Sequence, residues 1–136
     1  MIRGLFYLLS TWIVSSACEG RYPLKIDFET ASATVIGRET CNTDSSLNAW
    51  LIDLGPTTSG ITSGVYYGKE ATVNRKYYAH VVKTYSPLVS RLDSTKPYFF
   101  DFYVENALPK PSCNLPITTS FNVPQIRVTA APIWMR

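Results

Sequence analysis

Three cysteines, one histidine and ten carboxylates are the side chains that could carry chemistry in this 136-residue chain. His80 stands alone, between Ala79 and Val81, so no histidine cluster can form and a structural or surface role is expected of it. Gly-x-Ser-x-Gly, Ser-x-x-Lys and His-Glu-x-x-His are absent. Asp44, Asp53 and Asp101 lack the aspartate-plus-glycine spacing of a calcium loop. Asp101 and Glu105 share a strand face but stand about 13 Å apart along an extended chain, which argues mildly against that pair for glycoside chemistry. Cys41 and Cys113 are 72 residues apart, which excludes a Cys-x-x-Cys redox pair. Each sits in a turn-like setting, Thr40-Cys-Asn-Thr43 and Pro111-Ser-Cys-Asn114. A disulfide joining two loop tips is expected, two separate buried thiols being the alternative. No catalytic residue, metal or cofactor is expected.

The third cysteine belongs to a different argument. Arg3, an apolar run from Leu5 to Val14 and the small residues Ser15-Ser-Ala17 come in the order of a secretory signal peptide. The run is too short to remain as a membrane span. Cleavage after residue 17 would expose Cys18, and the segment resembles a bacterial lipoprotein box. Ser16 and Ala17 fit that pattern; Ser15 departs from it, where an aliphatic residue is preferred. The resemblance implies acylation of Cys18 and a lipid-held protein, because several buried acyl chains anchor firmly where one would not. Removing Cys18 to the lipid also leaves Cys41 and Cys113 as an even pair in an oxidising compartment. The chain therefore divides into a signal peptide over 1–17, a lipidated cysteine and short tether over 18–23, and a domain over 24–136. Ordinary secretion or a periplasmic protein is the alternative location.

Charge bears on partners. The formal net charge is +3, and Arg3 leaves with the leader. The remaining excess is small and scattered, which with export argues against nucleic acid.

The elements that must position these residues read as strands. Glu39 to Leu54 forms the first hairpin turn and its exit, since Trp50-Leu-Ile-Asp-Leu54 alternates. Leu24, Ile26 and Phe28 share one parity, and Ala31, Ala33 and Val35 the other, so a β-bulge is expected in a long first strand. Gly55 to Gly64 reads as a loop. Val65 to Tyr85 reads as strand, turn and strand about Asn74-Arg-Lys76. Pro87 to Thr95 connects, with a helical turn near Val89 to Leu92. Tyr98, Phe100, Phe102 and Val104 define the core face of a strand over 97–105. Four prolines break 106–124, and a last strand follows over 125–133. The prediction is an all-β domain: a small antiparallel five- to six-stranded barrel, OB-like first and a small sandwich second.

Of nine tyrosines, Tyr66, Tyr67, Tyr77, Tyr78 and Tyr85 lie within twenty residues. Outward rings can stack on sugars or seat a protein. The candidate binding face is Tyr66, Tyr67 and Tyr78 with the basic residues Lys69, Arg75 and Lys76. Cross-strand packing is the alternative use of these rings. The order of signal, cysteine and β-rich domain, with Glu39-Thr-Cys-Asn42, Trp50-Leu-Ile-Asp53 and Val81-Val-Lys83 along it, looks like small uncharacterised lipoproteins of Bacteroidetes-type bacteria. That resemblance implies a bacterial cell-envelope location and carries no activity onto any residue. The expectation is a non-catalytic, membrane-tethered binding or structural module with a protein or glycan partner. A freely secreted binding or inhibitory domain and an envelope enzyme are the alternatives.

Overall fold

In the computed structural model, residues 28–105 and 110–130 and the backbone of 133–134 are described. The predicted signal peptide, Cys18 and the tether lie outside the described residues. The strands are β1 (Glu29–Arg38), β2 (Trp50–Ser59), β3 (Lys69–Val73), β4 (Lys76–Thr84), β5 (Pro97–Val104), β6 (Ile126–Val128) and β7 (Ile133–Trp134). They form one antiparallel sheet in the order β3-β4-β2-β1-β5-β6, with β7 also on β5. The sheet curls into a half-barrel. At its mouth β4 meets the start of β6 through a parallel bridge from Lys83 to Gln125, where the Lys83 N–H donates to the Pro124 carbonyl at 2.9 Å. The order β4-β2-β1-β5-β6, with that parallel contact, is OB-like.

Bulges make the curl. β1 and β2 slip register three times along their length. At one slip, Gly55 and Pro56 face only Ser32, between the pairs Ala33↔Leu54 and Ala31↔Thr57. A proline is tolerated in a strand at such a point because the bulge removes the ladder bond it could not donate. β2 therefore runs on to Ser59, through residues expected to be loop. Beyond it, 60–68 is loop rather than the expected start of a strand. The β3–β4 turn is two residues, Asn74 (φ 51°) and Arg75 (φ 66°), both left-handed as a type I′ hairpin requires.

The main core lies inside the curl. Ala31 and Ala33 of β1 stand opposite Phe100 and Tyr98 of β5. Small residues there leave space for the rings, and all four are buried. Val35, Ile52, Leu54, Val82, Phe102, Ile126 and Val128 complete this cluster, with Val89 of the 3-10 turn Pro87–Arg91.

A second cluster lies on the other face: Leu51, Val73, Val81 and Val123, flanked by Ile36, Tyr78 and Phe121. It is covered by the irregular segment 110–124. Cys41 and Cys113 are bonded, with Cα atoms 4.7 Å apart. Thr40 and Thr119 exchange backbone hydrogen bonds at 2.8 and 3.1 Å. Asn48 supports the cysteine turn, its Oδ1 accepting from the N–H groups of Cys41 and Asn42. Deeper in, the buried Lys83 ammonium lies 3.0 Å from Glu39 Oε1 and donates to the Phe121 carbonyl at 2.9 Å. The Phe121 N–H donates to the same Glu39 oxygen at 2.8 Å.

Candidate functional site

The 110–124 segment covers only one end of the outer face. At the other end β1, β2 and β4 line an open groove of about 560 Å³. Alternation explains its floor. Ala33 and Val35 of β1, and Ile52 and Leu54 of β2, point into the core, so Ser32, Thr34 and Asp53 point away from it. Thr34 and Asp53 are direct cross-strand partners. β4 supplies the wall. Its bulge, three steps from Tyr78 to Val81 facing two steps of β3, puts Tyr78 with Val81 beside the outer cluster. Lys76, Tyr78, Ala79 and His80 all line the groove.

Tyr66 closes one end. Gly68 makes this possible: its φ is +112°, and a Cβ there would fall 2.5 Å from the His80 carbonyl carbon. The chain thus crosses directly over the β4 backbone, which only glycine permits. Tyr66 consequently stacks on His80, with ring centroids 4.3 Å apart and planes 25° from parallel. The exposed Lys76 carries its ammonium over the Tyr78 ring, 5.1 Å from the centroid. A second lobe of about 350 Å³ shares Thr34, Asp53, Lys76 and Tyr78 and continues to Ser94 and Thr95. The two lobes therefore adjoin at Thr34, Asp53, Lys76 and Tyr78.

Asp53 is half-buried and, among the described residues, its side chain makes no hydrogen bond or ion pair. Other surface carboxylates are engaged. Asp44 accepts from the Ser46 hydroxyl and N–H, and these bonds hold its pKa below the ordinary value. Asp93 is lowered in the same way by Thr95. Asp101 accepts from Thr30 Oγ1 at 2.5 Å, and Glu105 pairs with Arg127 at 3.1 Å. Asp53 alone of these keeps both oxygens available to something in the groove. Among the described residues no three His, Cys, Asp or Glu side chains gather to hold a metal.

Of the face expected from sequence, Tyr66, Tyr78 and Lys76 meet in the groove. Tyr67 does not; it is half-buried, edge-on to Phe102 with centroids 5.8 Å apart, its hydroxyl 2.8 Å from Thr62 Oγ1. Lys69 lies on the outer strand β3, and Arg75 sits at the hairpin tip. Asp53, His80, Ser32 and Thr34 were not expected in the site. The strand alternation about Asp53 carried a signal for it, since it places a carboxylate on a face otherwise apolar. Nothing in the sequence marked His80 as the seat of Tyr66.

Compared with known protein families, with curated proteins and with solved structures, the chain matches none.

Proposed function

We propose that the protein is a non-catalytic module, lipid-tethered at Cys18 in a bacterial cell envelope, that binds a glycan chain along the β1–β2–β4 groove. The observation that carries this is an unpaired carboxylate, Asp53, lining the same groove as the Tyr66–His80 stack and Tyr78. A carboxylate with both oxygens open accepts hydrogen bonds from sugar hydroxyls, the rings offer apolar faces, and Thr34, Ser32, Ser94 and Thr95 add short hydroxyl partners. The volume suits a ligand of a few sugar units, within the roughly 300–1,000 Å³ usual for small-molecule sites. By fold-level analogy, the groove lies on the face that OB-like barrels use for oligosaccharides and oligonucleotides. Its charge favours the former. One lysine and one carboxylate cancel, which gives a polyanion no net attraction.

The test is titration of the oxidised protein with neutral hexose and N-acetylhexosamine oligomers, followed by amide and tyrosine NMR shifts. Shifts centred on Asp53, Tyr66 and Tyr78 are expected. Asp53→Asn should weaken binding by roughly 10–100-fold, as loss of charge-assisted hydrogen bonds worth about 1.5–3 kcal/mol implies. Oligomers that leave these residues unmoved would defeat the glycan assignment. The anchor is tested separately: a fatty-acid analogue should label the wild type and not Cys18→Ser.

A further inference from the structure

The loop after β2 combines two properties that rarely occur together. It is tied down, and it is apolar at its tip. The Thr62 N–H donates to both oxygens of Glu29 at 3.3 Å. The Gly64 N–H donates to the Thr57 carbonyl at 2.8 Å, Val65 to Thr62 at 3.0 Å, and Thr57 to Val65 at 2.9 Å. Yet Ile61 is 67% exposed, Val65 44% and Tyr66 53%. From Leu54 to Gly68 the chain carries no charged residue, and Lys69 follows. Among the described residues, Glu29 is the carboxylate that bonds the loop, and it is buried and turned inward to Thr62.

Position identifies the occupant. Gly60 (φ +111°) packs on the Glu29 carboxylate, and a Cβ there would lie 2.9 Å from the Phe28 carbonyl. The loop is thus at the point where the chain enters β1. Phe28 is ten residues beyond Cys18. That much chain reaches at most about 33–36 Å, so a lipid on Cys18 holds the entry to β1 within that distance of the bilayer. We propose that loop 60–66 is a bilayer-contacting knob, with Ile61 and Val65 entering the headgroup–acyl boundary and Lys69 meeting anionic headgroups; this rests on the reading of Cys18 as acylated. An aliphatic tip with a neighbouring tyrosine and a lysine is the composition that sits at such a boundary. Because the loop is already ordered, insertion forfeits little conformational entropy.

The knob is tested with full-length lipidated protein in phosphatidylethanolamine–phosphatidylglycerol vesicles containing brominated acyl chains. Ile61→Trp places a reporter at the tip. Ile117→Trp places one on an 84%-exposed site beside Thr119, which pairs with Thr40 past the far end of β1. The expected result is blue-shifted, bromine-quenched emission from the residue-61 reporter above the parent background, and none from the residue-117 reporter. In the unacylated Cys18→Ser protein, Ile61→Asp should lower vesicle affinity by roughly tenfold or more, the loss of one large aliphatic contact. Equal response of the two reporters, or an unquenched residue-61 reporter on vesicles, overturns the proposal. Protection of that reporter by envelope proteins in the absence of lipid also overturns it, in favour of a protein partner. Fatty-acid labelling of Cys18 is scored in the same samples. A labelled protein with an unquenched reporter sinks the knob alone, and an unlabelled protein with a quenched reporter sinks the anchor alone.

Discussion

Replacing Lys83 by methionine should be among the most damaging single changes outside the aromatic core. Lys83 and Glu39 are both 4% exposed. Their contact is 3.0 Å, and each also bonds the Phe121 backbone, one through the carbonyl and one through the N–H. Methionine fills the volume but leaves Glu39 as a buried carboxylate with one remaining N–H donor, and leaves the Phe121 carbonyl without its ammonium. Breaking a buried pair on one side costs about 3–5 kcal/mol. Against a total stability of roughly 5–15 kcal/mol, that is a large fraction. The melting temperature should fall by roughly 10–25 °C for a domain of this size. Urea unfolding of the oxidised protein, followed by Trp50 and tyrosine fluorescence, gives the midpoint at unchanged slope. Glu39→Gln should be similarly destabilising. The double variant should cost less than the sum by about 1–3 kcal/mol, since the carboxamide removes the unpaired buried carboxylate that Lys83→Met alone leaves behind. Single variants each within about 1 kcal/mol of wild type, with an additive double, would refute the claim that segment 110–124 seals this end of the outer face.

Other outcomes follow from the same geometry. Cys41→Ser/Cys113→Ser should fold and lose roughly 4 kcal/mol by the chain-entropy account for a loop of this span; a loss below about 1 kcal/mol by urea titration would show that the other ties suffice. Gly68→Ala forces a Cβ against His80 and a left-handed φ on alanine, so it should displace Tyr66 from His80 and weaken oligosaccharide binding, while the 60–66 amides shift; an unchanged Tyr66 ring signal would count against that role. Asp44 and Asp93 have depressed pKa values in the fold, held first by hydroxyl hydrogen bonds from Ser46 and Thr95. Their contribution is present above the ordinary aspartate value and is lost as pH falls through the lowered one. Carboxyl NMR titration should therefore show the turns at 44–46 and 93–95 intact at mildly acidic pH and loosening only below the usual range; titration at the ordinary value would contradict the bonds.

How much of this was legible in the residues depended on whether the signal was local. Tyr98, Phe100 and Phe102 alternate, and all three are buried. Asn74 announced the hairpin, and the parity of Ala31, Ala33 and Val35 announced the core face of β1; Leu24 and Ile26, whose opposite parity called for a bulge before Ala31, lie outside the described residues. The cysteines were read as a pair and are one. Pro56 misled, because proline normally ends a strand and only the partner strand reveals the bulge that accommodates it. Tyr67 misled for a related reason. Adjacent tyrosines in a regular strand would face opposite ways, but Tyr66 and Tyr67 lie in a loop, where Gly68 and Thr62 decide their directions.

The groove itself is a consequence of unequal coverage. β4 is buried on both faces from Val81 to Thr84 and half-open from Tyr78 to His80. Segment 110–124 can cover only as far as its ties reach, and the disulfide, Thr119 and the Lys83–Glu39 pair all hold it to one end. Beyond them the same outer face needs polar residues, and Thr34, Asp53 and Lys76 supply them without pairing Asp53 to a described partner. If coverage sets the site, shortening the cover should enlarge it. Phe121→Ala/Val123→Ala should extend ligand-induced NMR shifts from Tyr78 toward Leu51 while leaving the affinity-determining contacts at Asp53 in place. Shifts confined to the original groove would mean that its length is fixed by β4 and its bulge, and that segment 110–124 has no part in shaping it.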